Sequence, residues 1–227
     1  MKKKFLAGLS VVLMFFGMSG IAGATTLTSK ISVDNQFEIF LSTDATSQGI
    51  SFGSGNNWQT VYTPSTQLNA GTDYYLHVWG KNFPATHTID GPNPAGFLGE
   101  FTLSGTDHAF ENNSQTLFTN TTDWQGNKTG WGDPSVGLTD FGANGVSPWG
   151  GHTAAIADSA HWIWAGVPDN RNFYPANDVS LFSARIISAT VPDQNPGVPS
   201  PTPEPATMLL FGLGLIGIAG AGRRKMK

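Results

Sequence analysis

The 227-residue chain carries a net charge of −4 and no cysteine, which excludes disulfides, thiolate zinc sites and thiol nucleophiles and leaves core burial as the source of stability. Seven of the twelve basic residues lie at the two ends, so residues 25–202 hold five basic against fifteen acidic residues, a balance of −10. A segment that acidic repels nucleic acid and anionic lipid, both of which need Lys and Arg to replace counterions.

Residues 1–24 have the form of a secretory signal peptide. Lys2, Lys3 and Lys4 give a positive start, residues 5–16 an apolar run, and Ala22-Gly23-Ala24 a small-x-small cleavage site. The mature chain is expected to begin at Thr25. Residues 25–191 are long enough for one domain with its own core.

That domain reads as all-β. Apolar and polar residues alternate over residues 36–43, with Phe37, Ile39 and Leu41 on one face, and again over residues 97–103. Residues 73–81 follow the turn-forming Asn69-Ala70-Gly71, and residues 179–188 form a last strong strand. No amphipathic helix interrupts them, which predicts a two-sheet sandwich. Residues 120–168 are rich in Gly and Trp and are expected to form long ordered loops. Residues 192–202 open a proline-rich linker with six prolines between positions 192 and 205. Extended at about 3.1 Å per residue, it would span roughly 40 Å.

The tail carries the most specific pattern. Pro203-Glu204-Pro205 precedes an uncharged apolar stretch, residues 206–222, and then Arg223, Arg224 and Lys225. The stretch is close to the length that crosses a bilayer, with its basic flank on the cytoplasmic side. Triplet, apolar stretch and basic cluster in this order resemble the PEP-CTERM sorting signal of Gram-negative bacteria that make exopolysaccharide. The resemblance implies an exosortase-type membrane transpeptidase as partner, transient anchoring in the inner membrane, and delivery to the cell surface or extracellular matrix. Gly212, Gly214 and Gly217 also match G-x-G-x-x-G, but no strand precedes them and no αβ unit surrounds them.

A second resemblance spans roughly residues 30–188. Val33-Asp34-Asn35, Gly53-Ser54-Gly55-Asn56-Asn57-Trp58 after a first hairpin, Gly71, Lys81-Asn82, Pro94-Ala95-Gly96-Phe97-Leu98, Asp123-Trp124, Pro148-Trp149-Gly150 and Trp162-Ile163-Trp164 follow one another. This order resembles the galactose-binding-like jelly-roll modules of bacterial glycoside hydrolases and surface proteins. It implies a jelly-roll β-sandwich that often binds carbohydrate and sometimes holds a structural calcium. No ligand motif of that family is matched residue by residue.

Seven tryptophans are available for sugar stacking or for packing. Trp58, Trp124, Trp149, Trp162 and Trp164 lie in the framework stretches and are expected to pack. Tyr75 and Trp79 share one strand face with His77 and form a stacking platform if that face is open. Trp131, between two glycines, is a candidate loop-tip contact. Gly49-Ile50-Ser51-Phe52-Gly53 matches the G-x-S-x-G elbow, but a turn and a strand follow it where the elbow needs a helix. The five histidines are scattered and form no metal motif. Acidic loops at Asp133, Asp140, Asp169, Asn170, Asn177 and Asp178 are compatible with calcium, without an EF-hand pattern. No catalytic residue and no cofactor is indicated. The expected function is a non-enzymatic, exported surface or matrix protein that interacts with extracellular polysaccharide. The alternatives are a purely structural surface protein with no small ligand and, further off, a matrix glycoside hydrolase that would need two carboxylates in one cleft.

Overall fold

The computed structural model describes residues 24–84, 93–151, 155–168 and 174–189. The signal segment through Gly23, the linker, and the Pro-Glu-Pro tail with its apolar stretch all lie outside the described residues. Among the described residues no helix is long and apolar enough to cross a membrane. The described residues belong to one compact unit that ends at Ala189.

Twelve strands lie among the described residues. They are β1 (Thr25–Asp34), β2 (Gln36–Ser42), β3 (Ile50–Gly55), β4 (Ser65–Leu68), β5 (Tyr74–Lys81), β6 (Gly96–Leu103), β7 (His108–Phe110), β8 (Thr116–Phe118), β9 (Gln125–Asn127), β10 (Leu138–Ala143), β11 (His161–Ala165) and β12 (Val179–Ser188). They form two antiparallel sheets. The first runs β10-β11-β6-β1-β4, with β8 also on β6; the second runs β3-β2-β5-β12-β7, with β9 also on β12. Only Asn35 separates β1 from β2, so the chain crosses between sheets at that residue. There the Asn35 N–H donates to the Lys81 carbonyl at 3.0 Å, tying the corner to β5. The four strands expected from the sequence, two of them by alternation, correspond to β2, β5, β6 and β12. Alternation is what two packed sheets require, because every second side chain faces the partner sheet.

The inner faces meet in one apolar cluster. Ile31, Val33, Phe97 and Phe101 come from the first sheet; Ile39, Leu76, Val78 and Phe182 come from the second. Phe97 and Phe182 touch across the gap with ring centroids 4.9 Å apart. A second, smaller cluster covers the outer face of the first sheet, where Trp149 and Trp162 stack at 4.4 Å beside Leu98 and Ile156. Gly96 makes that stack possible. A methyl group there would lie 2.6 Å from Trp149 and 2.7 Å from Trp162, closer than carbon atoms approach.

Two expectations need correction. Residues 120–168 are more regular than loops: β9, β10 and β11 run through them, hidden by their shortness and by a register shift between Asp140 and Gly142. Gly53, Ser54 and Gly55 do not follow the first hairpin but belong to its return strand, β3, paired with Phe37, Glu38 and Ile39.

Asp34, at the end of β1, is buried at 6% exposure, and its carboxylate accepts a 2.9 Å hydrogen bond from the Trp149 indole. Burial pushes its pKa from 3.8 up to about 6, against the pull of the indole. The folded state therefore binds this proton more tightly than the unfolded chain. The resulting stability is full below about pH 4 and is lost as pH rises through about 6. Replacing Asp34 with Asn removes the titration while keeping an acceptor for Trp149. Thermal unfolding of both chains from about pH 4 to pH 7 should show the wild type losing on the order of 3 kcal/mol relative to Asp34→Asn, the worth of about two pKa units.

Candidate functional site

The outer face of the second sheet is where the sequence places its ligand-facing candidates. β5 is central, paired with β2 on one side and β12 on the other. Its outward residues are Tyr75, His77 and Trp79. In register beside them stand Ser42, Phe40 and Glu38 of β2, and Arg185, Ser183 and Leu181 of β12.

This face is not open along its whole length. The segment after β9 folds back over it and lays Trp131 on His77, with ring centroids 4.5 Å apart. The same indole meets Phe40 edge-on at 6.1 Å. His77 is thereby fully buried, and Tyr75 lies nearly parallel to it on the other side at 6.0 Å. The His77 Nδ1 shares a 2.8 Å hydrogen bond with the Ser183 hydroxyl. Burial pushes the imidazole below its usual pKa, opposed by the backbone and the carboxylate of Asp44 and by the backbone of Ser47. Tyr75 and Trp131 are thus brought together around His77. Trp79, one step further along the face, is separated from Tyr75 by the covered histidine. Trp79 and Trp131 are both half-buried. Trp131 spends its ring on His77 and Phe40 and is no free loop tip.

Tyr75 opens instead onto a cleft of about 470 Å³. Its polar walls are Glu111, Asn112, Asp123, Gln125 and Arg185. Tyr75 and these walls come from four separate chain segments, and hydrogen bonds tie them in place. Arg185 donates to Asp73 at 2.9 Å and faces Glu111 at 3.6 Å. Asp73 in turn accepts from the Ser188 N–H at 2.9 Å and the Ser188 hydroxyl at 2.8 Å. Those Ser188 bonds, followed by Arg185, hold the Asp73 carboxyl below the usual carboxylate range. Across the cleft, Asp123 accepts from the side-chain amides of Asn112 at 3.0 Å and Asn120 at 2.9 Å. Asn120 closes its own turn by accepting from the N–H groups of Thr122 and Asp123 at 2.8 and 2.7 Å. The floor is apolar, made by Phe110, Leu117 and Ala184.

The polar walls escaped the sequence reading. Asn120-Thr121-Thr122-Asp123 is a side-chain-capped turn, and Arg185 is the one cation in an otherwise uncharged strand. Either signal was available, but neither says what it faces. The remaining aromatics behave as framework. Trp124, Trp149, Trp162 and Trp164 are buried, and Trp58 packs half-buried on the second cluster. Ser51 lies in the exposed edge strand β3, not at a strand-to-helix elbow. Of the acids expected in loops, Asp140 lies instead in β10 and pairs with His161 at 2.8 Å, Asp133 accepts from Thr129, and Asp178 takes Lys128 and the Trp164 indole. Among the described residues no group of three or more His, Asp or Glu stands close enough to hold a metal ion. His87, His152, Asp169 and Asn170 lie outside the described residues. So do Ala22 and all six sorting residues; Ala24 is exposed, one residue before β1 begins at Thr25.

Residues 201–225 match the PEP-CTERM protein-sorting motif. The chain carries a PEP-CTERM sorting signal. That signal implies export and processing of a membrane-anchored precursor by exosortase, a membrane protein, with Pro203, Glu204, Pro205, Arg223, Arg224 and Lys225 inside the matched segment. No curated protein and no solved structure matches the chain.

The geometry around His77 yields a test. Trp131→Ala removes the ring that covers the imidazole, so the pKa of His77 should rise toward its ordinary value of 6.5. Titrating the histidine ring protons by NMR in both chains reads this directly. An unchanged His77 midpoint would mean that the cover is not what depresses it.

Proposed function

We propose that this chain is a non-enzymatic surface or matrix protein, sorted by exosortase, that binds extracellular polysaccharide through the outer face of its second sheet. In this reading the domain is a jelly-roll type of sandwich. The observation that carries it is the cleft beside Tyr75, a single aromatic wall faced by amide and carboxylate side chains already fixed by neighbours. Sugars offer an apolar C–H face and a rim of hydroxyls, so one ring for stacking and several fixed planar polar groups suit them. Fixed groups lose little freedom on binding, which favours affinity. The half-buried Trp79 and Trp131 contribute shape to this face, and Tyr75 is the aromatic contact.

A hydrolase reading has one observation in its favour, since Glu111 and Asp123 line the same cleft. A glycosidase needs one carboxyl kept protonated by an apolar setting. The Glu111 side chain is 63% exposed and faces Arg185, and Asp123 holds two amide donors. Neither setting is apolar. A purely structural role remains the counterpart if nothing binds.

The full chain, solubilised in detergent, should show a saturable change in tryptophan fluorescence when titrated with the producing cell's polysaccharide, with or without calcium. Flat titrations over a panel of purified polysaccharides would leave the structural role. Release of reducing ends would bring back the hydrolase. Separately, Glu204→Ala should leave the precursor unprocessed in cells that carry exosortase, seen as retention of the larger species on a blot. Normal maturation of that variant would refute recognition through the Pro-Glu-Pro triplet.

A further inference from the structure

The charge of the cleft goes further than its shape. We infer that the cleft at Tyr75 takes neutral polysaccharide and turns away polyuronates and other anionic glycans; this rests on the polysaccharide-binding reading above. An arginine in a sugar cleft ordinarily suggests an anchor for a carboxylate or sulfate. Here Arg185 is already engaged by two carboxylates of the protein. One guanidinium nitrogen donates to Asp73 at 2.9 Å, and the other faces Glu111 at 3.6 Å. Its charge is met twice from within the protein.

What remains toward the cleft is acidic. Glu111 and Asp123 stand on the walls, and Asp73 lies behind Arg185, three carboxylates against one guanidinium. The domain around them is also strongly acidic, so no distant basic patch reverses the local sign. Low-dielectric walls concentrate the field of such a cleft and lower the local concentration of anions. A polyuronate brings one carboxylate per sugar into that field, where the cation among the described lining residues is Arg185, already paired with two carboxylates. A neutral glycan brings hydroxyl donors, which are what carboxylate oxygens accept. Asp123 has one oxygen already engaged by Asn112 and Asn120, and Glu111 has Oε1 turned to Arg185, which leaves the other oxygen of each carboxylate as an acceptor. The tyrosine ring serves the C–H face of the same sugar. Arg185 then has a positioning role: it holds Glu111 and Asp73 at the rim instead of binding the ligand.

The test uses the full chain in detergent and calorimetric titration with defined oligosaccharides. The probes are neutral gluco-, manno- and galacto-oligosaccharides, and oligogalacturonate and oligomannuronate of matched length. At least one neutral series should bind and both uronate series should not. Tyr75→Ala should weaken neutral binding about tenfold or more, while Tyr75→Phe, which keeps the ring, should stay close to wild type. Glu111→Gln, on an exposed side chain, should weaken neutral binding by about threefold to tenfold and let uronates in, because it removes a charged acceptor and one of the repelling charges. Two outcomes overturn the inference while leaving polysaccharide binding intact: uronates binding as tightly as neutral chains, or neutral binding that ignores Tyr75→Ala and Glu111→Gln alike. Binding of neither class overturns the inference and the reading beneath it together.

Discussion

The contact between Phe97 and Phe182 joins the two sheets, and most of what the domain does follows from it. Phe97 stands on β6 in the middle of the first sheet, Phe182 on β12 in the second. Trp124 packs edge-on against Phe97 at 5.1 Å and Trp164 against Phe182 at 5.5 Å, so the pair sits in a cage of larger rings. With no disulfide available, burial of such rings is the main source of cohesion. It also fixes the outer surface. A strand shows alternate residues to opposite faces. Once Phe182, Ala184 and Ile186 face inward, Ser183 and Arg185 must face the cleft, and Leu181 must stand beside Trp79. The register that builds the core is the register that builds the candidate site.

The long segment between β8 and β12 is attached to this frame by a few well-placed groups. Lys128 follows β9 and points over Trp164 and Tyr174, with its ammonium 5.8 and 5.4 Å from their rings. It also donates to Asp178 and to Ser180. Burial lowers its pKa, with Asp178 opposing that shift. A half-buried cation met by a carboxylate and two rings is a firm anchor. Trp131 comes three residues later on the same segment, where its carbonyl accepts from the Asn127 side-chain amide at 3.4 Å and its ring lies on His77.

How much of this the sequence carried differs by segment. β2, β5, β6 and β12 are legible because each is long and rich in β-branched and aromatic residues, even though stretches of β5, β6 and β12 are buried on both faces. β9 and β11 are short, and β10 has a bulge, so their periodicity is too brief to read. The fate of the aromatic face was not legible at all. Phe37, Ile39 and Leu41 reveal themselves by local spacing, but whether Tyr75, His77 and Trp79 meet solvent depends on a segment fifty residues away folding back over the middle one. The cleft is harder still, since Tyr75, Glu111, Asp123 and Arg185 come from four segments and share no local pattern. The tail is the opposite case. A sorting signal is read by its own enzyme as a short linear stretch, so triplet, apolar run and basic flank are legible without any fold.

Two buried titratable groups give the domain opposing responses to acid. Asp34 holds its proton more tightly when folded, since burial raises its pKa to about 6. Its contribution to stability is recovered as pH falls through that value. His77 is depressed by burial, so its contribution is full above the ordinary histidine range and is lost as pH falls below it. The two contributions change with pH in opposite senses. Asp34 sits under the tryptophan stack of the first sheet, and His77 under Trp131 on the second. Trp149 donates to Asp34 and Trp131 lies on His77, so an indole from an aromatic outer layer meets each buried group, and the same layers that close the outer faces bear on both shifts.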